Sequence, residues 1–189
     1  MNRSEIKAFL DEKADEYNRP DFIATDPVSV PHRFSDMADI EIAGFLTATI
    51  AWGQRPTIIQ NANRLLDMMP GGPHHFLMSA GEKDLERFLP FVHRTFNGFD
   101  CIYFMKALKQ MYLHQGGIGG VIAEAYRIHG DLFDALVRFR QVFFSQDPPA
   151  RTFKHVSDVS VGAAGKRLNM YLRWMVRRDT RGVDLGLWQ

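Results

Sequence analysis

Cysteine is nearly absent from this 189-residue sequence, since Cys101 is the only one. A single cysteine excludes an internal disulfide and an iron–sulfur cluster held by four cysteines. It is also typical of proteins from a reducing compartment. Long apolar runs are missing as well, and the N-terminal segment MNRSEIKAFLDEKADEY is too charged for a secretory signal. These absences predict a cytoplasmic protein without a membrane partner.

Metal-binding patterns are missing too. The adjacent His74 and His75 would point about 100° apart on a helix, which makes a poor pair of ligands. No cysteine or carboxylate follows them at ligand spacing. We therefore expect no metal site and no cofactor.

Net charge is only +1, yet the charges are unevenly distributed. Residues 1–50 contain ten acidic and five basic residues, whereas residues 162–182 contain six basic residues and one acidic residue. This polarity predicts an anionic partner for the C-terminal end of the sequence. The alternative is internal neutralisation, in which the acidic N-terminal helix packs near the basic one.

Helical periodicity dominates the sequence, and no segment is convincing as a strand. Residues 20–34 contain three prolines and predict a loop. The expected fold class is all-α, either one multi-helix domain over residues 1–189 or two lobes that share a cleft. Helices are predicted over these ranges: 3–17, 36–51, 56–69, 73–79, 82–89, 99–115, 118–128, 131–145 and 166–178.

The basic segment GAAGKRLNMYLRWMVRR, residues 162–178, is the main functional signal. Gly162 and Gly165 let backbone N–H groups approach an anion closely, and a helix that begins at Lys166 adds its dipole. A nucleotide-hydrolysing P-loop is excluded, because Arg167 follows the lysine where Ser or Thr is required. The other anion that fits this geometry is the nucleic-acid backbone.

Two arginines further along the same helix share one face. Arg173 and Arg177 are four residues apart, so their side chains project in similar directions. We expect them to contact backbone phosphates, or to be solvated, rather than to read bases. Both readings keep the face basic and exposed.

The strings GAAGK and GVDLGLW, residues 162–166 and 182–188, resemble the turn and the carboxylate motif of helix-hairpin-helix (HhH-GPD) DNA glycosylases. The resemblance is partial, because the second glycine here lies directly before the lysine. It implies that Lys166 is the nucleophile of a lyase and that Asp184 is the catalytic carboxylate. A lysine attacks as the free amine, a form that cationic neighbours favour. The alternatives for Lys166 are a phosphate contact or a solvated residue at the start of the helix.

A second stretch, TATIAWGQRPTIIQNANRLLD at residues 47–67, is similar to the paired helices of the same superfamily that flank a central glutamine. The resemblance implies that Gln54 fills the space left by a flipped base and that Arg55 contacts DNA. The alternative is a helix corner that Gln54 caps. A third string, FNGFDCIYFMKALKQMYLHQGG at residues 96–117, resembles the 8-oxoguanine branch of these enzymes.

The string KRLNMYLRWMVRRDTRGVDLGLW is similar to an uncharacterised bacterial family that is distantly related to these glycosylases. The likeness spans residues 36–189. Members of that family continue into a Leu-Asp-Val-His segment, whose aspartate is the better counterpart of the glycosylase carboxylate. We therefore expect that the chain lacks this segment and that Asp184 stands in for it by spacing.

The resemblance implies a protein of base excision repair that binds duplex DNA and removes a damaged base, such as an oxidised purine, with AP lyase activity. Two other classes stay open. One is a non-catalytic helix-hairpin-helix module that binds nucleic acid, and the other is a protein-interaction domain. Residue spacing specifies neither the recognised base nor the oligomeric state.

Overall fold

The computed structural model describes residues 2–188. This part of the chain is mostly helical, as predicted, and none of its helices has the length and apolar character needed to cross a membrane. The α-helices and strands have these bounds: α1 Arg3–Tyr17, α2 Pro20–Ile23, α3 Met37–Thr49, α4 Arg55–Asp67, α5 Pro73–Ser79, α6 Glu82–Leu85, β1 Val92–His93, β2 Phe96–Asn97, α7 Gly98–Gln115, α8 Gly117–His129, α9 Leu132–Phe143 and α10 Lys166–Val176.

Helix α3 lies at the centre of the core, and every residue from Ile40 to Thr49 is buried. The sequence explains this burial, since the helix has apolar or small side chains on nearly all sides. Asp36 begins the helix, because its carboxylate accepts hydrogen bonds from the N–H groups of Ala38 and Asp39 at 2.9 and 3.2 Å.

Helix α10 packs directly against α3. A Cβ atom at Gly44 would lie 2.9 Å from Met175 Cε and 3.3 Å from the Tyr171 ring, so only glycine permits this approach without a shift. The Tyr171 hydroxyl donates a hydrogen bond to the Glu41 carbonyl at 3.3 Å. The position of α10, and of the turn that precedes it, is therefore fixed by the most buried helix.

Phe45 joins four helices into one aromatic cluster. Its ring centre lies 5.5 to 5.8 Å from four other rings, contributed by α7, α9 and α10. Edge-to-face and offset contacts of this kind stabilise a core beyond simple area burial. The rings are those of Phe104, Phe139, Phe143 and Tyr171.

Strands β1 and β2 correct the expectation that no strand forms. Val92 pairs with Asn97 and His93 with Phe96 in an antiparallel hairpin. Each strand has only two residues, which is too short to produce an alternating pattern in the sequence. The hairpin leads directly into α7, whose start is fixed by a capping box of Asn97 and Asp100.

The predicted loop over residues 20–34 is partly helical. It contains α2 and two 3-10 helices, Pro27–Ser29 and Pro31–Arg33, and each of the three begins with proline. Proline suits the first position of a helix, because its fixed φ is helical and its missing N–H would have no partner there. The prolines therefore start short helices here instead of only preventing them.

Two further 3-10 helices, Ala150–His155 and Val159–Val161, precede α10. They lead the chain across the ends of α7 and α9 to a glycine turn at residues 162–165. Helix α10 then begins at Lys166, as the sequence predicts, and ends two residues before the predicted boundary.

Candidate nucleic-acid interface

The first turn of α10 leaves backbone N–H groups without a side-chain cap, whereas the Gly162 and Ala163 N–H groups of the preceding turn already donate to the Val159 and Asp158 carbonyls at 3.0 and 3.3 Å. Gly162 and Gly165 adopt left-handed conformations with φ of 87° and 58°, which other residues rarely adopt. The first N–H groups of an α-helix have no acceptor within the helix. No side chain caps α10, so these groups are free for an anion. The side-chain amide of Asn169 donates to the Ala164 carbonyl at 3.0 Å and closes the turn.

Lys166 is exposed at the first position of α10. Among residues 2–188 it has no hydrogen-bond or ion-pair partner, and no carboxylate oxygen lies within 4.0 Å of its ammonium group. The side chain is therefore available to a ligand at the same surface as the free N–H groups.

Arg167 joins the start of α10 to the loop that follows α3. Its guanidinium donates to the carbonyl of Thr49, the last residue of α3, and its central carbon lies 4.6 Å from the centre of the Trp52 ring. Burial lowers the pKa of this guanidinium, and it has no carboxylate partner within residues 2–188. Arg167 is thus a partly buried cation that is stabilised by a carbonyl dipole and an aromatic face.

Gln54 lies in the same α3–α4 connection, and Arg55 is the first residue of α4. Gln54 is exposed at the N-cap position of α4, and its side chain makes no capping hydrogen bond. Arg55 forms an ion pair with Asp26 at 3.6 Å and lies over the Phe22 ring at 5.4 Å. The structure therefore brings the loop of Gln54 against the start of α10, whereas Arg55 points to the N-terminal part of the chain.

Arg173 and Arg177 neutralise Asp184 instead of extending as free cations. Their guanidinium groups lie 3.2 and 3.5 Å from the Asp184 carboxylate, whose side chain is 2% exposed. Burial raises the pKa of this carboxyl, and the two arginines oppose that shift. Lys166 lies seven residues before Arg173, about 10 Å along the helix axis. The structure does not bring Asp184 to Lys166.

Internal pairing accounts for part of the charge polarity seen in the sequence. Arg181 contacts Asp15 of α1 at 2.5 Å, and Asn18 donates to Asp179 at 2.8 Å. The acidic N-terminal helix is thus attached to the basic C-terminal segment. Within residues 2–188, Lys166 and Arg167 at the start of α10 and Arg94 near Trp52 are among the cations that form no ion pair.

Sequence reasoning missed the residues that surround Trp52. The His155 ring stacks on it at 6.1 Å between ring centres, and the His93 ring meets it edge-on at 5.1 Å. His155 Nε2 lies 3.3 Å from the carboxylate of the fully buried Asp100. The Asn97–Asp100 capping spacing was visible in the sequence, but nothing there paired Asp100 with a histidine 55 positions later.

Arg94 is a further cation at this surface that the sequence did not indicate. It is exposed at the tip of the β1–β2 hairpin, and its backbone φ of 54° is uncommon for a residue other than glycine. A Cβ atom at Gly53 would lie 3.1 Å from Arg94 Nε, so the guanidinium covers the Trp52–Gln54 loop. Within residues 2–188 it forms no ion pair.

His155 makes stability depend on pH in a specific direction. Burial lowers its pKa from 6.5 to about 4, although the Asp100 carboxylate opposes this shift. Between these values the unfolded chain binds a proton that the folded chain does not, so stability falls as pH decreases from 6.5 to about 4. The loss from this group reaches up to about 3 kcal/mol.

The measurement is urea denaturation of the wild type and of His155→Gln at several pH values. We expect the variant to lose less of its free energy of unfolding between neutral and acidic pH, because glutamine does not titrate. Parallel pH profiles for the two proteins would contradict this assignment.

Comparison with known proteins identifies one family that the chain matches. The model of a family described as "Protein of unknown function (DUF2400)" matches residues 26–189. No curated protein and no solved structure matches the chain. The matched residues include all of the candidate site from Gln54 to Asp184, and they exclude α1 and α2. Because the match covers most of the sequence, the chain belongs to the DUF2400 family.

Proposed function

We propose that the turn at residues 162–167 binds a phosphate of duplex DNA and that the protein is a base-excision-repair glycosylase and AP lyase of the helix-hairpin-helix kind. The contact of Arg167 with Thr49 and Trp52 carries this proposal. It holds the Lys166 turn and the Gln54 loop on one side of the molecule. Lys166 as nucleophile and Gln54 as the base-replacing side chain must face the same nucleotide. The Arg167 contact is compatible with this arrangement.

Three features support phosphate binding at this turn. Gly162 and Gly165 shape the turn with left-handed conformations, the start of α10 has no side-chain cap, and Lys166 has no partner in the described chain. Arg94 and Lys154 are also exposed and unpaired within residues 2–188, and both act electrostatically on the histidines around Trp52. Cations around free helical N–H groups attract a phosphate through both charge and hydrogen bonding.

The proposed reaction uses Lys166 as a nucleophile on a flipped nucleotide. Its free amine attacks C1′ of the deoxyribose, the bond from C1′ to the base breaks, and the base leaves with the electron pair of that bond. Loss of the amine proton and opening of the sugar ring give a Schiff base between Lys166 and C1′. Gln54 would occupy the space that the flipped base leaves in the duplex. A carboxylate would stabilise the positive charge that develops on the sugar, and Asp184 would have to leave its pairs with Arg173 and Arg177 to take this role.

A second function is favoured by the position of Asp184. This carboxylate is buried against Arg173 and Arg177, on later turns of α10 than Lys166. Without a carboxylate at the nucleophile, the turn would bind phosphate and leave the glycosidic bond intact. The second candidate is therefore a non-catalytic module that binds nucleic acid through the same surface.

Borohydride trapping on duplexes that contain an abasic site or 8-oxoguanine tests the first function. We expect the wild type to form a covalent adduct and Lys166→Ala to reduce it to background, since the Schiff base requires that amine. Lys83→Ala is the matched control, because Lys83 is an exposed helical lysine without an ion pair in the described chain. An adduct of equal strength in Lys166→Ala would contradict the assignment.

The salt dependence of duplex binding, measured on the same proteins, tests the phosphate contact that the two functions share. Each phosphate contact contributes about 0.9 to the slope of log K against log salt concentration, so Lys166→Ala should reduce the slope by about one. Binding with a steep salt dependence but no covalent adduct would support the non-catalytic module. Binding that is insensitive to salt and to Lys166→Ala would exclude both.

A further inference from the structure

Helix α1 is an amphipathic helix that no other element covers. It spans 15 residues, and none of them is buried. Isolated helices of this length are marginally stable in water, and most helices in proteins are stabilised by packing of an apolar face. A capping box at Asn2 and Glu5 and the contact between Asp15 and Arg181 hold its two ends. Within the described chain, Tyr17 at the end of this face meets the Phe22 ring of α2 edge-on at 5.7 Å, and Ile6, Phe9 and Leu10 stay about half exposed.

The exposed apolar residues of α1 form one stripe. Ile6, Phe9, Leu10 and Tyr17 are 45%, 49%, 58% and 47% exposed. With a step of about 100° per residue, they lie within an arc of about 100°, the width of a face that packs against another helix. Lys13 lies in the same arc with its ammonium over the Phe9 ring at 5.8 Å. The stripe runs along the entire helix.

The charges of α1 favour a second copy of the same helix in antiparallel orientation. Its first half contains Arg3, Glu5 and Lys7, with net charge +1, and its second half contains four acidic residues and Lys13, with net charge −3. Antiparallel pairing places the +1 half against the −3 half, whereas parallel pairing places the two −3 halves together. The acidic face also disfavours a membrane surface, which attracts basic amphipathic helices.

We propose that α1 is a self-association surface, through which two copies of this chain pair by their α1 helices about a two-fold axis. The helix lies outside residues 26–189, so the surface is separate from the part of the chain that defines the family. The contact is small, since two helices of this length meet over about 22 Å. Interfaces below the standard size are weak, so the dimer is reversible, with a dissociation constant of about 1 to 100 µM.

Sedimentation velocity over a range of protein concentrations tests the association. The wild type should shift from the 21.7 kDa monomer toward twice that mass as concentration rises. Leu10→Arg should abolish the shift, because it puts a charge at the centre of the stripe. Val161→Arg is the matched control, since Val161 is 79% exposed and lies elsewhere, and it should dimerise like the wild type. A wild type that stays monomeric throughout, or a Leu10→Arg variant that still dimerises, overturns the proposal.

Disulfide trapping tests the orientation. Antiparallel pairing about the middle of the stripe brings Ile6 of one copy to Tyr17 of the other. A mixture of Ile6→Cys and Tyr17→Cys should form the mixed disulfide, and each variant alone should form much less. Background from Cys101 is low, because it is fully buried and burial raises the pKa of its thiol. Efficient trapping of each variant with itself would indicate parallel helices and overturn the antiparallel arrangement.

Discussion

Replacement of Glu41 by alanine is expected to destabilise the fold by about 3 to 5 kcal/mol, because this carboxylate is buried and accepts four hydrogen bonds. The Ile118 and Gly119 N–H groups donate to it at 2.9 and 2.8 Å, and the Trp188 indole donates at 3.0 Å. The Tyr112 hydroxyl is the fourth donor. Burial raises the pKa of Tyr112, so this hydroxyl keeps its proton. Glu41→Ala would leave the three buried or half-buried donors of α8 and the tail without an acceptor.

Thermal and urea denaturation measure this effect. A loss of this size lowers Tm by about 10 °C in a chain of this length. Glu41→Gln should have an intermediate effect. Its amide oxygen still accepts hydrogen bonds, but its NH2 group replaces the second carboxylate oxygen and faces groups that are themselves donors. The control is Glu124→Ala on the exposed face of α8, where we expect a change within about 0.5 kcal/mol. Equal effects of the Glu41 and Glu124 variants would contradict the role of Glu41.

Replacement of Asp100 by alanine should have an effect of similar size at the other end of the core. The carboxylate is fully buried and accepts from the Asn97 N–H at 3.0 Å and from the Thr152 hydroxyl at 2.8 Å. It also lies 3.1 Å from the Arg151 guanidinium and 3.3 Å from His155 Nε2. Removal of one member of such a buried charged cluster costs about 3 to 5 kcal/mol, because the remaining polar groups lose their hydrogen-bond and charge partner.

A double-mutant cycle makes this prediction specific. Asp100→Asn and His155→Gln, separately and together, should give a coupling energy of about 0.5 to 3 kcal/mol in urea denaturation. Asp134→Ala is the control, since Asp134 is an exposed aspartate in the first turn of α9. Additive effects of the Asp100 and His155 substitutions would show that the two side chains do not interact in the folded protein.

Local signals in the sequence predicted much of the fold. The apolar pattern of α3 predicted a helix at 36–51, and the structure has one at Met37–Thr49, with Asp36 rather than the expected Ser35 as its N-cap. The glycine pair after residue 115 separates α7 from α8 as expected, because Gly116 ends α7 in a left-handed conformation. Helical periodicity and caps are local properties, so a single sequence is sufficient to detect them.

Long-range pairing could not be predicted in the same way. Spacing from Lys166 favours Asp184 as the counterpart of the glycosylase carboxylate, but the chain turns back after α10 and places this carboxylate beside Arg173 and Arg177. The turn-back is fixed by backbone hydrogen bonds from Leu185 to the Trp174 carbonyl, which leave no pattern in side-chain types. The positions of Lys166 and Gln54 on one side likewise depend on a contact of Arg167 that no periodicity reveals. Sequence reasoning therefore missed the groups that orient these side chains in the fold.

The carboxylate of Glu41 also has a consequence for the order of folding. Its partners come from positions 77, 78 and 147 residues away along the chain. Contacts between such distant positions form slowly, because the entropy of closing a long loop is lost before the contact contributes. The segment that ends at Trp188 can bind this carboxylate only when α3 and the start of α8 are already in place. The C-terminal segment should therefore acquire amide protection after the central helices, and it should be the first to lose protection when the protein opens.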